Sequence, residues 1–422
     1  MIGIRKRTLS LVALLVIFSS AALAGEGSMA TSDTQSSDLW QQLSKIGAVN
    51  GQSSGYAAEV AISGQTLVVS GSLGNDGSMA YVFVKPAEGW TNMKLIARLR
   101  TTLAGVTGAG SVATDGDTVA IGAFQCSAGT CTKGAVLVFV KPPGGWIDMT
   151  QTATLTGSDT TPRDFFADSV SLSADTIVAG AYRANSEIGA AYVFVKPASG
   201  WRNMTQTAKL TPSDGAKHDF FGSSTAIDGN TIVVGSPQFY PSTGSGKAYV
   251  FVEPASGWQD MTQTAELTVS DAYQNDEFGY SLGIKGGIVA VGAPGNSPGQ
   301  FPGEAYVFVR AGTWSNMTET GKLTAIHASA YGSLGSALCV SDNYIAVSAP
   351  YDAFDGGSVF IFKKPTSGWA NTSSRLKLFV VVGGSLGYSL AIDGPVVAAL
   401  APFSTARLPN VYLFQLLPNA AP

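Results

Sequence analysis

Two histidines and three cysteines are all that this 422-residue chain offers of the side chains that most often carry chemistry. His218 and His327 lie far apart in the sequence, on segments that read as loops. Neither has beside it a Ser, Cys or carboxylate pattern that reads as a catalytic triad or a zinc site. Each is read as a solvated side chain. Charge is equally scarce: 13% of residues are Asp, Glu, Lys or Arg, with a formal net charge of −4. A phosphate-binding surface needs an excess of the opposite sign, so nucleic acid is excluded as a partner.

Long apolar runs are also missing, with one exception. Leu9 to Phe18 is apolar, follows Arg5-Lys6-Arg7 and precedes Ala22-Leu23-Ala24. That is the order of a cleaved export signal over residues 1–24. The alternative is a retained membrane anchor, but the run is short for a bilayer span. Cleavage removes three basic residues, leaving 22 against 29 acidic ones, a net charge of −7. The mature chain is expected to be secreted, periplasmic or extracellular, with no membrane span. Residues 25–39 read as a flexible leader and 416–422 as a tail. In an exported chain Cys126 and Cys131, four residues apart in a Gly-containing loop, are candidates for a local disulfide; two free thiols are the alternative. Cys339 reads as a small buried apolar side chain within a strand.

What is present is repetition. The seven tryptophans, Trp40, Trp90, Trp146, Trp201, Trp258, Trp314 and Trp369, recur every 50 to 57 residues. Each is followed by the same succession. In the fourth copy it runs Ala208 to Thr211, Phe221-Gly222, Thr231 to Pro237 and Ala248 to Val252. Alternating and β-branched runs, separated by turns such as Asp228-Gly229-Asn230, give four short strands per unit. Self-similarity at this period points to a repeat architecture, and radial repetition of four-stranded units to a propeller. The expected fold is all-β: a seven-bladed β-propeller of four-stranded antiparallel blades over residues 40–415. The first Trp strand would complete the last blade in a 1+3 closure, which hides sheet edges.

Two motifs recur most strictly. One is Phe221-Gly222, Phe278-Gly279 and Phe166-Ala167, with Tyr56-Ala57, Gly108-Ala109, Leu334-Gly335 and Leu386-Gly387 in the other copies. The second is Gly292-Ala293-Pro294, Gly235-Ser236-Pro237, Ser348-Ala349-Pro350 and Leu400-Ala401-Pro402, with Gly122-Ala123, Gly180-Ala181 and Ser70-Gly71. On these residues the units resemble FG-GAP repeats, the blade type of the integrin α-chain propeller. The resemblance implies a propeller that binds or adheres and does not catalyse. It also implies calcium loops of the Asp-x-Asp-x-Asp-Gly type between the first two strands of a blade. Here the Phe position and the Gly-Ala-Pro position are 14 residues apart in every copy (56 to 70, 108 to 122, 166 to 180, 221 to 235, 278 to 292, 334 to 348, 386 to 400). That constant interval leaves room only for a tight turn, so no metal site and no cofactor are expected.

By contrast, the step from Gly-Ala-Pro to the Val-Phe-Val strand varies from 13 to 17 residues, and that from Trp to Phe-Gly from 16 to 20. Both variable connections fall on one face, where binding residues are expected. The aromatics Phe124, Tyr182, Phe239, Tyr240, Phe301, Tyr351 and Phe354 in those loops, with Phe403, are the candidate ligand-binding set. They would stack on sugars or anchor a protein, or else fold back to cap the blades. Asp159, Asp164, Asp214, Asp219, Asp271, Asp276 and Glu277 share that face, either to meet a cation or basic partner or simply to make turns. Asn203, Asn316 and Asn371 match the N-glycosylation pattern, which matters only in a eukaryotic host. The expected function is that of a monomeric, exported, non-catalytic module for an extracellular protein or glycan. A polysaccharide-active enzyme at the ring mouth and a purely structural surface protein are the alternatives.

Overall fold

In the computed structural model, described for residues 40–46, 56–72, 77–104, 106, 109–124, 126–127, 130–131, 133–239, 244–295, 302–326, 328–352, 356–374, 376–380, 384–402 and 409–416, seven β-sheets form a propeller. A blade starts at the axis with the strand of the Phe-Gly copy and runs outward. Blade 4 is typical: Ser224–Asp228, Thr231–Ser236, Lys247–Val252 and Ala265–Thr268, each antiparallel to the next. The outer strand of blade 7 is Trp40–Ile46, antiparallel to Asn410–Leu416.

Four blades carry an additional strand that the four-stranded expectation omits. Met149–Thr150, Met204–Thr205, Met317–Thr318 and Thr372–Ser374 each lie parallel to the outer strand of the preceding blade. Side chains hold these short segments. Asp148, Asn203, Asp260, Asn316 and Asn371, each two residues after a Trp, accept a backbone N–H from the preceding blade at 2.7–2.9 Å. Gln151, Gln206, Gln263 and Glu319 do the same three residues on, at 2.9–3.2 Å. The Asn-Met-Thr repeats therefore have a structural use, and Asp serves as well as Asn because only the acceptor oxygen is used.

The core is divided into seven clusters, one per blade interface, and each holds one tryptophan. Trp201, for instance, packs with Val136, Val138 and Leu155 of blade 2 and with Phe166, Tyr192 and Phe194 of blade 3. Six tryptophans are buried, while Trp40, half-buried, meets Tyr344 edge to face at 5.8 Å. The indole N–H of Trp40, Trp146, Trp201, Trp258, Trp314 and Trp369 has no acceptor among the described residues, so these side chains serve by volume.

At the axis the two motifs meet. The Gly222 N–H bonds to the Gly235 carbonyl within blade 4. The Gly222 carbonyl in turn abuts Gly180 of blade 3, where a Cβ would sit 1.9 Å from that oxygen. The same carbonyl accepts the Ser169 hydroxyl at 2.9 Å. Blades 4 and 5 repeat this with Gly235, Ser224 and the Gly279 carbonyl, and blades 5 and 6 with Gly292, Ser281 and the Gly335 carbonyl. Gly222, Gly279 and Gly335 have φ of 93°, 97° and 99°, which L side chains rarely adopt.

Overpacking at this contact has a measurable cost. Gly235→Val should lower unfolding free energy by about 3 kcal/mol or more, since the obstructing atoms are backbone. Gly144→Ala, with no atom within 4 Å of its Cβ, should leave denaturant midpoints unchanged. At the outer rim, Asn316→Asp should keep wild-type stability, while Asn316→Ala should lose about 1 kcal/mol by the same assay.

Candidate functional site

Alternate residues of the inner strands face the axis, and their first members build a mouth on the variable face. The cavity there encloses about 780 Å³ and takes lining residues from all seven blades. Two residues after each Phe position, the wall is Ala58, Gly110, Asp168, Ser223, Tyr280, Ser336 and Tyr388. Two residues deeper come Val60, Val112, Val170, Thr225, Leu282, Leu338 and Leu390, a mainly apolar floor.

Four of the sequence-expected aromatics, Phe124, Tyr182, Phe239 and Tyr351, come together in this lining. Tyr240, Phe301, Phe354 and Phe403, like His327, lie outside the described residues. The four are joined by Phe220, Tyr280 and Tyr388, with Phe165 beside them. These residues precede or follow the Phe-Gly position and not the Gly-Ala-Pro position. The available signal was variation at two fixed registers, one residue before and two after the Phe position, of an otherwise strict repeat.

The rings form a continuous arc: Phe124–Phe165, Phe165–Tyr182, Tyr182–Phe220, Phe220–Phe239 and Phe239–Tyr280, with centroids 5.2 to 5.9 Å apart. Edge-to-face and tilted pairs of this kind are worth about 0.5–1.5 kcal/mol each beyond burial. The arc thus caps the blades and lines the mouth at once. The Arg183 guanidinium stacks on it, 5.1 Å from Phe165 and 5.7 Å from Tyr182. His218, expected to be solvated, instead packs on the rim, 5.9 Å from Phe220, with Nδ1 3.0 Å from the Glu187 carboxylate. From the end of the arc onward, the lining tyrosines open to solvent: Tyr280, Tyr351 and Tyr388 are 41%, 60% and 44% exposed.

Three groups of carboxylates stand out on this face. Asp159, Asp214 and Asp271 each accept a buried tyrosine hydroxyl (Tyr192, Tyr249, Tyr306) and pair with Lys209, Lys247 and Lys322. Burial alone would raise these acids, but the lysine and tyrosine outweigh it and hold all three below the usual range. Asp164, Asp219 and Asp276 accept the backbone N–H three residues before them, as turn-making acids do. The third group faces the axis. Burial pushes the Asp168 carboxyl up to about 6. Glu59 is also raised, by burial first and with the Asp168 charge adding to it. The Val112 N–H at 3.0 Å and the Ser111 side chain work the other way.

On the opposite face the turns are short. Ser63 pairs with Thr66, Asp228 with Thr231 and Asp393 with Val396, so two residues make each turn. None has the length of an Asp-x-Asp-x-Asp-Gly loop. Among the described residues, no three of His, Cys, Asp or Glu converge as metal ligands would. The Cys126 and Cys131 backbones pair directly across a small hairpin, while their side chains lie outside the described residues. Cys339 is a partly buried free thiol whose pKa is raised by burial. No helix among the described residues is long and apolar enough to cross a membrane.

The architecture defines a seven-bladed β-propeller with an aromatic mouth on its variable face. Residues 149–194, 204–251, 261–308 and 317–362 match the family model of the FG-GAP repeat. The chain is an FG-GAP repeat protein, resembling the integrin α-chain propeller. A search of curated proteins returned no match.

The raised acids make stability depend on pH. A carboxyl whose folded pKa lies above its unfolded value keeps its proton longer in the folded state, so stability falls as pH rises between the two. For Asp168 that window runs from the ordinary 3.8 to about 6. At 1.36 kcal/mol per unit the loss is about 3 kcal/mol. Denaturant unfolding of Asp168→Asn from pH 4 to pH 7 should show a slope shallower than wild type by that amount.

Proposed function

We propose that this protein is an exported, non-catalytic binding or adhesion module whose extracellular protein or glycan ligand seats in the mouth of the variable face. The observation that carries this reading is the continuous aromatic arc over a cavity of about 780 Å³. That volume lies within the range of ligand sites, and aromatic lining with a few polar groups is their usual make-up. The tyrosines Tyr280, Tyr351 and Tyr388 offer rigid contact area at low entropic cost. FG-GAP propellers are typically non-catalytic, which agrees with it.

A hydrolytic reading is favoured by one observation, that Glu59 and Asp168 line the same cavity. Two carboxyl groups flanking a sugar are what glycosidases use. Against it, Glu59 accepts the Val112 N–H at 3.0 Å across the joint between blades 1 and 2, which commits that carboxylate to holding the ring together. The binding reading therefore stands first.

Glycan and matrix-protein arrays probed with the wild type and with Phe239→Ala/Tyr351→Ala test it. The double variant should lose the wild-type hits while keeping its melting temperature within a few degrees. Identical profiles would place the binding site elsewhere.

A further inference from the structure

Among the described acids of the variable face, Asp168 and Glu277 have side chains without a partner, and of these two Asp168 lines the cavity. Asp159, Asp214, Asp271 and Asp352 have Lys209, Lys247, Lys322 and Lys377 at 2.5 to 2.9 Å. Asp164, Asp219 and Asp276 cap turns. The Asp168 side chain is largely withdrawn from water, lines the cavity and makes no hydrogen bond or ion pair with any described residue. Leaving a carboxylate so placed is costly unless something completes it.

We propose that the mouth binds a protonated amine, with Asp168 as its counter-ion and the aromatic arc as its wall. This rests on the mouth being a binding site and names the chemistry it selects. Space is available at Asp168, because its neighbours in the lining ring are Gly110 and Ser223, and next to Gly110 comes Ala58. Glu59 of blade 1 lines the same cavity, its carboxyl raised by burial first and by the Asp168 charge in addition. Tyr182 and Tyr280 also face Asp168, each pushed up by burial first and by the Asp168 charge in addition. Aromatic faces attract cations within about 6 Å, so Tyr280 and Phe239 suit an ammonium and its carbon body alike. Among the described residues the one cation in the lining, Arg183, is exposed and stacked on Phe165 and Tyr182. A neutral ligand would leave Asp168 uncompensated, and an anion would be repelled by it. Protonation of Asp168 removes the counter-ion, so amine affinity should drop about tenfold per pH unit below about 6.

The test is calorimetric titration of the mature chain at pH 7 with 1,5-diaminopentane and its neutral counterpart 1,5-pentanediol. Glucosamine and glucose form a second pair that separates a sugar-borne amine from an aliphatic one. The amine of at least one pair should bind ten times or more tighter than its neutral partner. Asp168→Asn should erase that preference while retaining the fold, because it mimics the protonated acid. Equal affinity within both pairs, no amine binding to the wild type, or an undiminished preference in Asp168→Asn would each overturn the proposal. The array comparison with Phe239→Ala/Tyr351→Ala reads out separately. Amine failure with array hits that depend on the aromatics would leave the binding mouth standing without its amine.

Discussion

Everything in this ring depends on how closely the backbones of adjacent blades approach at the axis. A peptide carbonyl from one Phe-Gly turn has to fit against the second strand of the preceding blade. Gly180, Gly235 and Gly292 permit it, since a Cβ there would lie 1.9 to 2.1 Å from the facing oxygen. The carbonyl is then within reach of a serine hydroxyl, Ser169, Ser224 or Ser281, that satisfies it. Small residue, carbonyl and serine thus form one unit repeated from blade to blade. Where the small residue is serine, the hydroxyl joins in: Ser70 donates to the Gly110 carbonyl at 2.7 Å. That substitution falls in blade 1, where Glu59 stands at the serine register and its carboxyl oxygen accepts the Val112 N–H.

This constraint explains what could be read in the sequence. A fixed approach demands a fixed strand and turn length, hence the constant interval of 14 residues from Phe to Gly-Ala-Pro. The tryptophan period was equally legible because each interface needs one large filler, and Trp201 or Trp314 supplies it. The additional parallel strands were not legible. Their signal, Asn or Asp two residues after Trp and Gln or Glu three later, looks like ordinary polar surface until Asn316 is seen reaching the Glu266 N–H. The mouth was half legible. Loop aromatics announce themselves, and Phe124, Tyr182, Phe239 and Tyr351 were found that way. Asp168 sits inside a strand, and Tyr280 and Tyr388 directly before one, at a register where the repeat itself does not tell which residues face the axis.

The distribution of acids separates scaffold from site. On the flanks, the Asp–Tyr–Lys arrangement recurs at one register in three consecutive blades: Asp159, Asp214 and Asp271 with their tyrosines and lysines. A feature copied with the repeat is explained by the repeat. Glu59 and Asp168 have no such copies, since their registers hold Ser, Ala, Gly or Tyr in the other blades. Glu59 is accounted for by the Val112 N–H that it accepts across the joint between blades 1 and 2, whereas Asp168 departs from the repeat with no such contact.

Backbone strain gives the same division from an independent direction. The residue before the Phe position is left-handed in five blades: Phe165, Phe220, Glu277, Ser333 and Ser385 have φ between 54° and 58°. Glycine would adopt that conformation freely, whereas other residues pay about 1 kcal/mol or more each. The chain nevertheless places side chains there, and reserves glycine for the second left-handed position, two residues on, at Gly222, Gly279, Gly335 and Gly387. At Phe165 and Phe220 the left-handed turn delivers two of the rings that make the arc continuous. At Glu277 it sets an acid, raised by burial, close enough for its charge to act on Tyr280. A scaffold selected for stability alone would have used glycine at these turns. At Phe220 the strained residue lines the mouth, and at Phe165 it supplies the ring that links Phe124 to Tyr182.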